Sequence, residues 1–191
     1  MLPLHSSRLI LRRFTEADVP SFLAYRNDPA VARYQSWESC SLAEATEFIR
    51  KHQAKEIGVP GEWWQIAIAL RTTGLHIGDC ALQIHADDAR QATIGFTLAR
   101  SHQGHGYATE ALSALLDGAF LHLDLHRVVA DTDPQNTRAC ALLERLGLRR
   151  EAHLRQSLWF KGRWADEYLY AVLRKEWLRR SGITPSTLIQ E

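Results

Sequence analysis

The chain has 191 residues, which is enough for one domain with a sizeable core. Its charge is nearly balanced, with 23 basic and 22 acidic residues, and this argues against a nucleic-acid-coating protein. The three cysteines, Cys40, Cys80 and Cys140, form no C-x-x-C pair, so neither a disulfide framework nor a zinc site is indicated. No stretch approaches the roughly 20 apolar residues of a membrane span, and the N-terminus lacks a secretory signal pattern. We therefore expect a cytoplasmic protein with no membrane partner.

The first third of the chain predicts a strand followed by two helices. Residues 8–14 alternate as a strand does. Thr15–Asp18 and Ser41–Glu44 both read as capping boxes, and each precedes a helical pattern. Asn27-Asp28-Pro29 should end the first helix, and the second should run to about Lys55.

Three antiparallel strands are predicted next. Residues 63–70 alternate, Thr72-Thr-Gly74 has the composition of a hairpin turn, and residues 75–85 return. After a polar turn, residues 92–98 form the third of these strands. The segment after this strand predicts a turn that carries glycines and then a long helix.

The second half of the chain alternates helices and strands. An apolar stripe follows the glycines, and residues 126–132 then predict a strand parallel to 92–98. Asn136 should open a further helix that ends before Gly147. Residues 151–173 alternate around Lys161-Gly-Arg163 and predict a closing hairpin. The long helix should bury one stripe, formed by Ala108, Ala111, Leu112, Leu115, Ala119 and Leu123.

These elements predict an α/β fold with a mixed, mostly antiparallel sheet of about seven strands and about four helices. We expect a single domain over residues 1–180 and a C-terminal tail over residues 181–191.

The turn between residues 98 and 107 has the features of an anion site. The first N–H groups of a helix lack backbone partners and carry the positive end of its dipole. Gly104 and Gly106 permit positive φ and let a ligand approach the main chain. The segment is neither a P-loop nor a G-x-G-x-x-G loop, because Thr109 occupies the third position after Gly106. A plain strand–helix turn without a ligand is the alternative.

Longer strings in the chain resemble a known family. The run Gln103-Gly-His-Gly-Tyr-Ala-Thr-Glu-Ala111 resembles the pyrophosphate-binding signature of the GCN5-related N-acetyltransferases, abbreviated GNAT. Within that superfamily it is most similar to the ribosomal-protein-alanine acetyltransferases. Asn136-x-x-Ala139, residues 143–148 and residues 162–166 resemble further blocks of that branch. The resemblance spans roughly residues 8–177.

The resemblance implies a GNAT fold that binds acetyl-CoA between the fourth and fifth strands, with no metal. N–H groups of the 104–108 loop would hold the pyrophosphate, with Gln103 beside it. The strand before the loop would contact the pantetheine arm, and Asn136 would contact the arm from the other side. Arg145 would meet the adenosine phosphate. The expected coenzyme residues are Phe96, Thr97, Leu98, Gln103, Gly104, His105, Gly106, Tyr107, Ala108, Asn136 and Arg145.

Two of these residues have simpler alternative roles. Asn136 would serve equally as a helix N-cap, and capping and ligand binding can coexist. Arg145 could be an ordinary exposed arginine on a helix.

The residues that move protons are less evident. Many GNAT enzymes carry a glutamate on the strand before the loop, but residues 92–99 contain no carboxylate. Ala139 occupies the position of the serine proposed to protonate the leaving thiolate. His85 is the candidate base and Tyr168 the candidate acid. A surface histidine and a core tyrosine are the competing interpretations.

The sequence therefore predicts an acetyl-CoA-dependent N-acetyltransferase in which an amine attacks the thioester directly. The branch resemblance points to a protein N-terminal amine as the acceptor. A small amine, such as an antibiotic, a polyamine or an amino acid derivative, is the rival acceptor. A non-catalytic acyl-CoA sensor is a third hypothesis, and a homodimer is left open as the assembly.

Overall fold

An eight-stranded mixed sheet runs through the molecule, with helices on both of its faces. The computed structural model describes residues 1–182. The strands are β1 (Leu4–His5), β2 (Leu9–Arg12), β3 (Trp63–Leu70), β4 (His76–Ile84), β5 (Gln91–Leu98), β6 (Arg127–Thr132), β7 (Arg149–Phe160) and β8 (Arg163–Leu173). The helices are α1 (Val19–Arg26), α2 (Pro29–Ala32), α3 (Leu42–Ala54), α4 (Tyr107–His122), α5 (Thr137–Arg145) and α6 (Arg174–Arg180).

One pair of strands differs from all the others. The sheet order is β1-β2-β3-β4-β5-β6-β8-β7, and every pairing is antiparallel except that of β5 with β6. This parallel pairing joins only residues 91–93 to residues 127–129. Beyond that point β6 continues beside β8 as far as Thr132. The strands β5 and β6 therefore separate after this short pairing. The separation leaves room for the site that the sequence predicts between them.

The larger part of the core lies between the sheet and α4. The inward stripe of α4 is fully buried because its residues recur every three or four positions. They pack against the inward residues of the central strands, and α5 and α6 complete this layer. The buried stripe consists of Ala111, Leu112, Leu115, Leu116, Ala119 and Phe120.

The opposite face of the sheet is covered by α1 and α3 and contains buried polar groups. Tyr25 donates a hydrogen bond to Asp79, and the Arg26 guanidinium lies 4.0 Å from the same carboxylate. The guanidinium also lies over the rings of Trp37 and Phe22, at 3.5 and 4.5 Å from their centroids. Burial raises the pKa of Asp79. This cluster fixes α1 and the chain that follows it to β4.

The fold class is as predicted, but the element counts are not. Residues 1–182 contain eight strands rather than about seven, and six α-helices rather than about four. The strand β1 has only two residues, too few to show alternation. Pro29 reads as a helix stop, yet Asp28 accepts a hydrogen bond from Ala30 N at 2.9 Å and starts α2. The predicted fourth and fifth strands are accordingly β5 and β6.

The end of the chain also differs from the prediction. The predicted order of elements ends with the closing hairpin, whereas in the structure α6 follows β8 directly. Glu176 accepts a hydrogen bond from Leu173 N at 3.0 Å, and Trp177 is buried against the core. The predicted tail over 181–191 lies outside the described residues beyond residue 182. Within residues 1–182, no helix is long and apolar enough to span a membrane.

Gly78 provides a test of the packing between β4 and β5. A Cβ at this position would lie 2.3 Å from the carbonyl oxygen of Thr97, which belongs to the backbone and cannot move aside. Gly78→Ala should therefore lower the free energy of unfolding by about 1–3 kcal/mol, the typical cost of overpacking. Gly95→Ala is the matched control, because its Cβ would meet nothing closer than 3.9 Å. Equal melting temperatures for the two variants would contradict this description of the strand pair.

Candidate active site

A cleft of about 960 Å³ opens where β5 and β6 part. Its lining comes from α2 and the residues after it, the end of β5, the loop before α4, and α5 with the turn before it. The volume is at the upper end of the range for small-molecule sites. The cleft is therefore large enough for an extended ligand.

The loop before α4 presents unpaired backbone N–H groups to this cleft. Gly104 and Gly106 have φ values of +81° and +79°, a conformation that favours glycine. No side chain caps α4, and the N–H groups of residues 104–108 have no backbone acceptor within residues 1–182. Such groups attract anionic oxygens, as the sequence predicted for this turn.

Arg8 and Glu110 hold this loop from behind. Arg8 Nη1 donates to the carbonyl of His105 at 3.0 Å, and the guanidinium lies over the Tyr107 ring. Glu110 accepts from the Arg8 backbone N–H, from Arg8 Nε and from the Ser6 hydroxyl, at 2.6–2.7 Å. Burial alone would raise the pKa of Glu110, but these hydrogen bonds outweigh it and lower the pKa. Glu110 therefore stays ionised in a structural role.

The cleft lining is strongly basic. Four arginines contribute to it, and no aspartate or glutamate does among the described residues. Guanidinium groups pair well with phosphate oxygens. Together with the free N–H groups, they suit a ligand that carries several phosphates. The four are Arg33, Arg100, Arg138 and Arg145.

Two glutamines satisfy the strand carbonyls that β6 leaves unpaired. Gln35 Nε2 donates to the Phe96 carbonyl at 3.3 Å, and Gln103 Nε2 donates to the Leu98 carbonyl at 3.0 Å. A ligand can displace a side-chain amide from these carbonyls, whereas it could not displace a neighbouring strand. This edge of β5 is therefore available to the amide groups of an extended ligand.

The position of Asn136 allows both of the roles that the sequence suggests, which are the helix N-cap and the ligand contact. Its Oδ1 accepts a hydrogen bond from Ala139 N at 3.2 Å, so it is the N-cap of α5. The same residue lines the cleft. Its Nδ2 donates to no other group within residues 1–182, and this leaves it free for a ligand.

The structure brings together nearly all the residues predicted to contact the coenzyme. Of the eleven, only His105 is absent from the lining; its ring lies near that of Tyr107 instead. Further residues that the sequence did not predict also line the cleft, namely Arg33, Tyr34, Gln35, Arg100 and Arg138. Arg100 and Arg138 had a visible signal, since each is within three residues of a predicted contact.

The two candidates for proton transfer lie outside the cleft lining. His85 Nε2 lies 2.9 Å from Thr93 Oγ1, near the start of β5 rather than at its open end. The Tyr168 ring lies next to Arg150 and His153. No group of three His, Cys, Asp or Glu side chains that could hold a metal ion occurs in residues 1–182.

Comparison with known proteins gives this site a family. Residues 8–149 match the model of the Acetyltransferase (GNAT) domain. The chain belongs to the GNAT family. The N-acetyltransferase p20 of Bacillus licheniformis is 30% identical over 178 residues, which cover 93% of this chain and 99% of that protein. The ribosomal protein uS5-alanine N-acetyltransferase of Escherichia coli is 32% identical over 84 residues, or 44% of this chain and 43% of that one.

A solved structure confirms the fold. The spermidine N-acetyltransferase of Vibrio cholerae, in complex with CoA and spermine, has a TM-score of 0.77 and 24% identity, covering 91% of this chain and 99% of that chain. As a member of the GNAT family, the 191-residue chain is itself an acetyl-CoA-dependent N-acetyltransferase. The family match and the p20 relative confirm the predicted enzyme class.

Gly106 tests the role of the loop. In Gly106→Val a branched side chain would occupy a left-handed backbone position and cover the free N–H groups, so acetyl-CoA binding should weaken at least tenfold. Gly74→Val is the control, because Gly74 has φ of +72° in the β3–β4 turn, away from the cleft. Both variants should lose stability, but only the first should lose affinity in isothermal titration calorimetry. Unchanged affinity in folded Gly106→Val would contradict the assignment.

Asn136 allows the cap and the ligand contact to be separated. Asn136→Ser keeps a capping oxygen and removes the amide donor, whereas Asn136→Ala removes both. We expect Asn136→Ala to lose about 1 kcal/mol of stability and Asn136→Ser very little. Both should lose about 0.5–1.5 kcal/mol of acetyl-CoA binding, the net value of one hydrogen bond. Full affinity in Asn136→Ser would show that the residue is a cap alone.

Proposed function

We propose that this GNAT enzyme acetylates the N-terminal amine of a protein. The run from Gln103 to Ala111 resembles the ribosomal-protein-alanine branch, and a relative from that branch matches 44% of the chain. The observation that carries the proposal is a pair of exposed tryptophans on the β7–β8 hairpin, which offers a docking surface beyond what a small amine needs.

The β7–β8 hairpin carries an exposed aromatic pair. Trp159 and Trp164 pack edge to face near the end of the β7–β8 hairpin, yet they are 60% and 57% exposed. Leu154 and Leu158 on the same hairpin are also exposed. Exposed tryptophans of this kind are frequent anchors in protein recognition. They support a polypeptide acceptor that extends away from its reacting amine.

Contacts from the hairpin attach it to the cleft itself. Lys161 Nζ at the hairpin turn donates to the carbonyls of Ala32 and Trp37, each at 2.8 Å. Arg163 pairs with Asp133, two residues before the cleft residue Gln135. An acceptor chain lying on the tryptophans would therefore have its first residue close to the opening.

Within the cleft, we propose the following roles for acetyl transfer. The N–H groups of residues 104–108 and the arginines hold the phosphates of acetyl-CoA, and the end of β5 and Asn136 hold its pantetheine arm. The N–H of Leu98 polarises the thioester carbonyl. These groups fix the thioester in place and stabilise the charge that develops on its oxygen.

We also propose a cytoplasmic location for the enzyme. All three cysteines are free, and Cys80 is buried in the core without a partner thiol. Free thiols of this kind suit a reducing compartment.

The acceptor is identified by measuring thiol release from acetyl-CoA. The panel contains peptides with a free N-terminus, the same peptides with a blocked N-terminus and an internal lysine, and spermidine with other small amines. We expect turnover with the free N-termini and none with the blocked ones. Turnover with small amines alone would overturn the proposed acceptor and favour the small-amine alternative.

Trp159 tests whether the hairpin binds the acceptor. Trp159→Ala should raise KM for a peptide acceptor roughly 5–30-fold, corresponding to about 1–2 kcal/mol of contact energy. Its KM for acetyl-CoA should not change, because Trp159 is not part of the cleft lining. Leu75→Ala is the control, since Leu75 is 48% exposed in the β3–β4 turn. Identical peptide KM values for the two variants would exclude the hairpin as a docking surface.

A further inference from the structure

The segment of β6 beyond the short parallel pairing contains an unassigned carboxylate. The pairing of β5 with β6 ends at Thr93 and Val129, and β6 then follows β8 as far as Thr132. Asp131 lies in this diverging segment, opposite Leu169 of β8. It therefore borders the opening between β5 and β6 from the β6 side, although it is not part of the cleft lining.

The side chain of Asp131 belongs to the face of the sheet opposite the coenzyme helices. Val128 and Ala130 are part of the core under α4, so Val129 and Asp131 must alternate to the other face. On that face β5 presents Thr93 and Gly95. Gly95 has no side chain, and the nearest atom to a Cβ there would be the Ala81 methyl group. Gly95 therefore places no side chain between β5 and Asp131.

Other ionisable groups occur on this face, but no cation pairs with Asp131. Glu167 lies two residues from Leu169 on β8 and accepts a hydrogen bond from Ser157 at 2.7 Å. His85 is bonded to Thr93, and Asp79 is covered by α1. Within residues 1–182, no arginine, lysine or histidine forms a salt bridge with Asp131 or Glu167.

The environment of Asp131 suits a proton acceptor. Although Asp131 is exposed, the protein atoms around it desolvate its carboxylate and raise its pKa, and the charge of Glu167 adds to this effect. A higher pKa makes a carboxylate a better base for an ammonium group. Arginines line the coenzyme cleft, whereas Asp131 and Glu167 form no ion pair within residues 1–182. The arrangement favours a positively charged acceptor on the carboxylate side.

We propose that Asp131 binds the ammonium group of the acceptor and removes its proton. The carboxylate takes one proton, and the freed nitrogen lone pair forms a bond to the thioester carbonyl carbon. The C–S bond then breaks, its electron pair leaves with sulfur, and a second proton passes from nitrogen to the thiolate. Asp131 finally releases its proton to solvent. Glu167 holds the cationic acceptor by its charge. This inference rests on the proposed amine acceptor.

The test is the pH dependence of kcat/KM for an accepted amine, with wild type, Asp131→Asn and Asp131→Glu. Wild type should show a plateau that begins at the pKa of Asp131 and extends to the pKa of the amine. Without the base, the reaction depends on free amine, so Asp131→Asn should rise about tenfold per pH unit up to the amine pKa. At neutral pH its loss should be roughly 100–10,000-fold, the usual contribution of a general base. Asp131→Glu should recover part of the plateau.

Asp87→Asn is the matched control, because it removes one carboxylate from the exposed β4–β5 turn and makes the same change in net charge. It should retain the wild-type profile. A plateau in Asp131→Asn, or a loss of less than tenfold, would overturn the role of Asp131 while leaving acetyl transfer intact. Absence of transfer to any amine by the wild type would overturn the proposed acceptor and this inference together. Unfolding of Asp131→Asn is checked by circular dichroism, and Asp131→Ser then takes its place.

Discussion

The structure depends on the early end of the pairing between β5 and β6. Two parallel strands that stayed paired would satisfy each other's backbone groups and leave no gap in the sheet. Here the pairing stops after three residue pairs, while β6 stays paired with β8 on its other edge as far as Thr132. The carbonyls of Phe96 and Leu98 are met by side-chain amides, which a ligand can replace. The gap therefore offers a line of strand backbone to an extended substrate in the middle of a rigid sheet.

The two sides of this gap carry opposite charge. On the side of α4 and α5, arginines and free N–H groups suit phosphates. On the other face, Asp131 and Glu167 suit a cation. Acetyl-CoA and an ammonium acceptor would therefore approach from opposite faces of the sheet, each disfavoured on the other's side. In this arrangement the reacting atoms would meet between the two strands.

Local patterns made much of this predictable from the sequence. Gly104 and Gly106 mark the loop, and the apolar stripe behind them marks α4. The strand–helix–strand order predicts the parallel strand. The position of Asn136 before a helical pattern predicts that it starts a helix. These features depend on a few neighbouring residues, so the sequence shows them directly.

Features that depend on distant residues were not predictable in the same way. The helix α2 starts at Pro29, which also marks the end of α1. The position of Gln35 against Phe96 depends on contacts between residues 61 apart in the chain. Asp131 appeared only as part of an apolar strand, because its face of the sheet depends on the register of β6. Residue type alone makes His85 a candidate base, and the structure places it at the other end of β5 from the gap.

The central claim is that acetyl-CoA occupies the gap between β5 and β6. Hydrogen–deuterium exchange, measured with and without acetyl-CoA, tests it most directly because exchange reports individual backbone segments. Exchange should slow at residues 96–98 and 104–108, and it should stay unchanged in the β3–β4 turn. Protection confined to other segments, or no protection at a saturating concentration of acetyl-CoA, would contradict the claim.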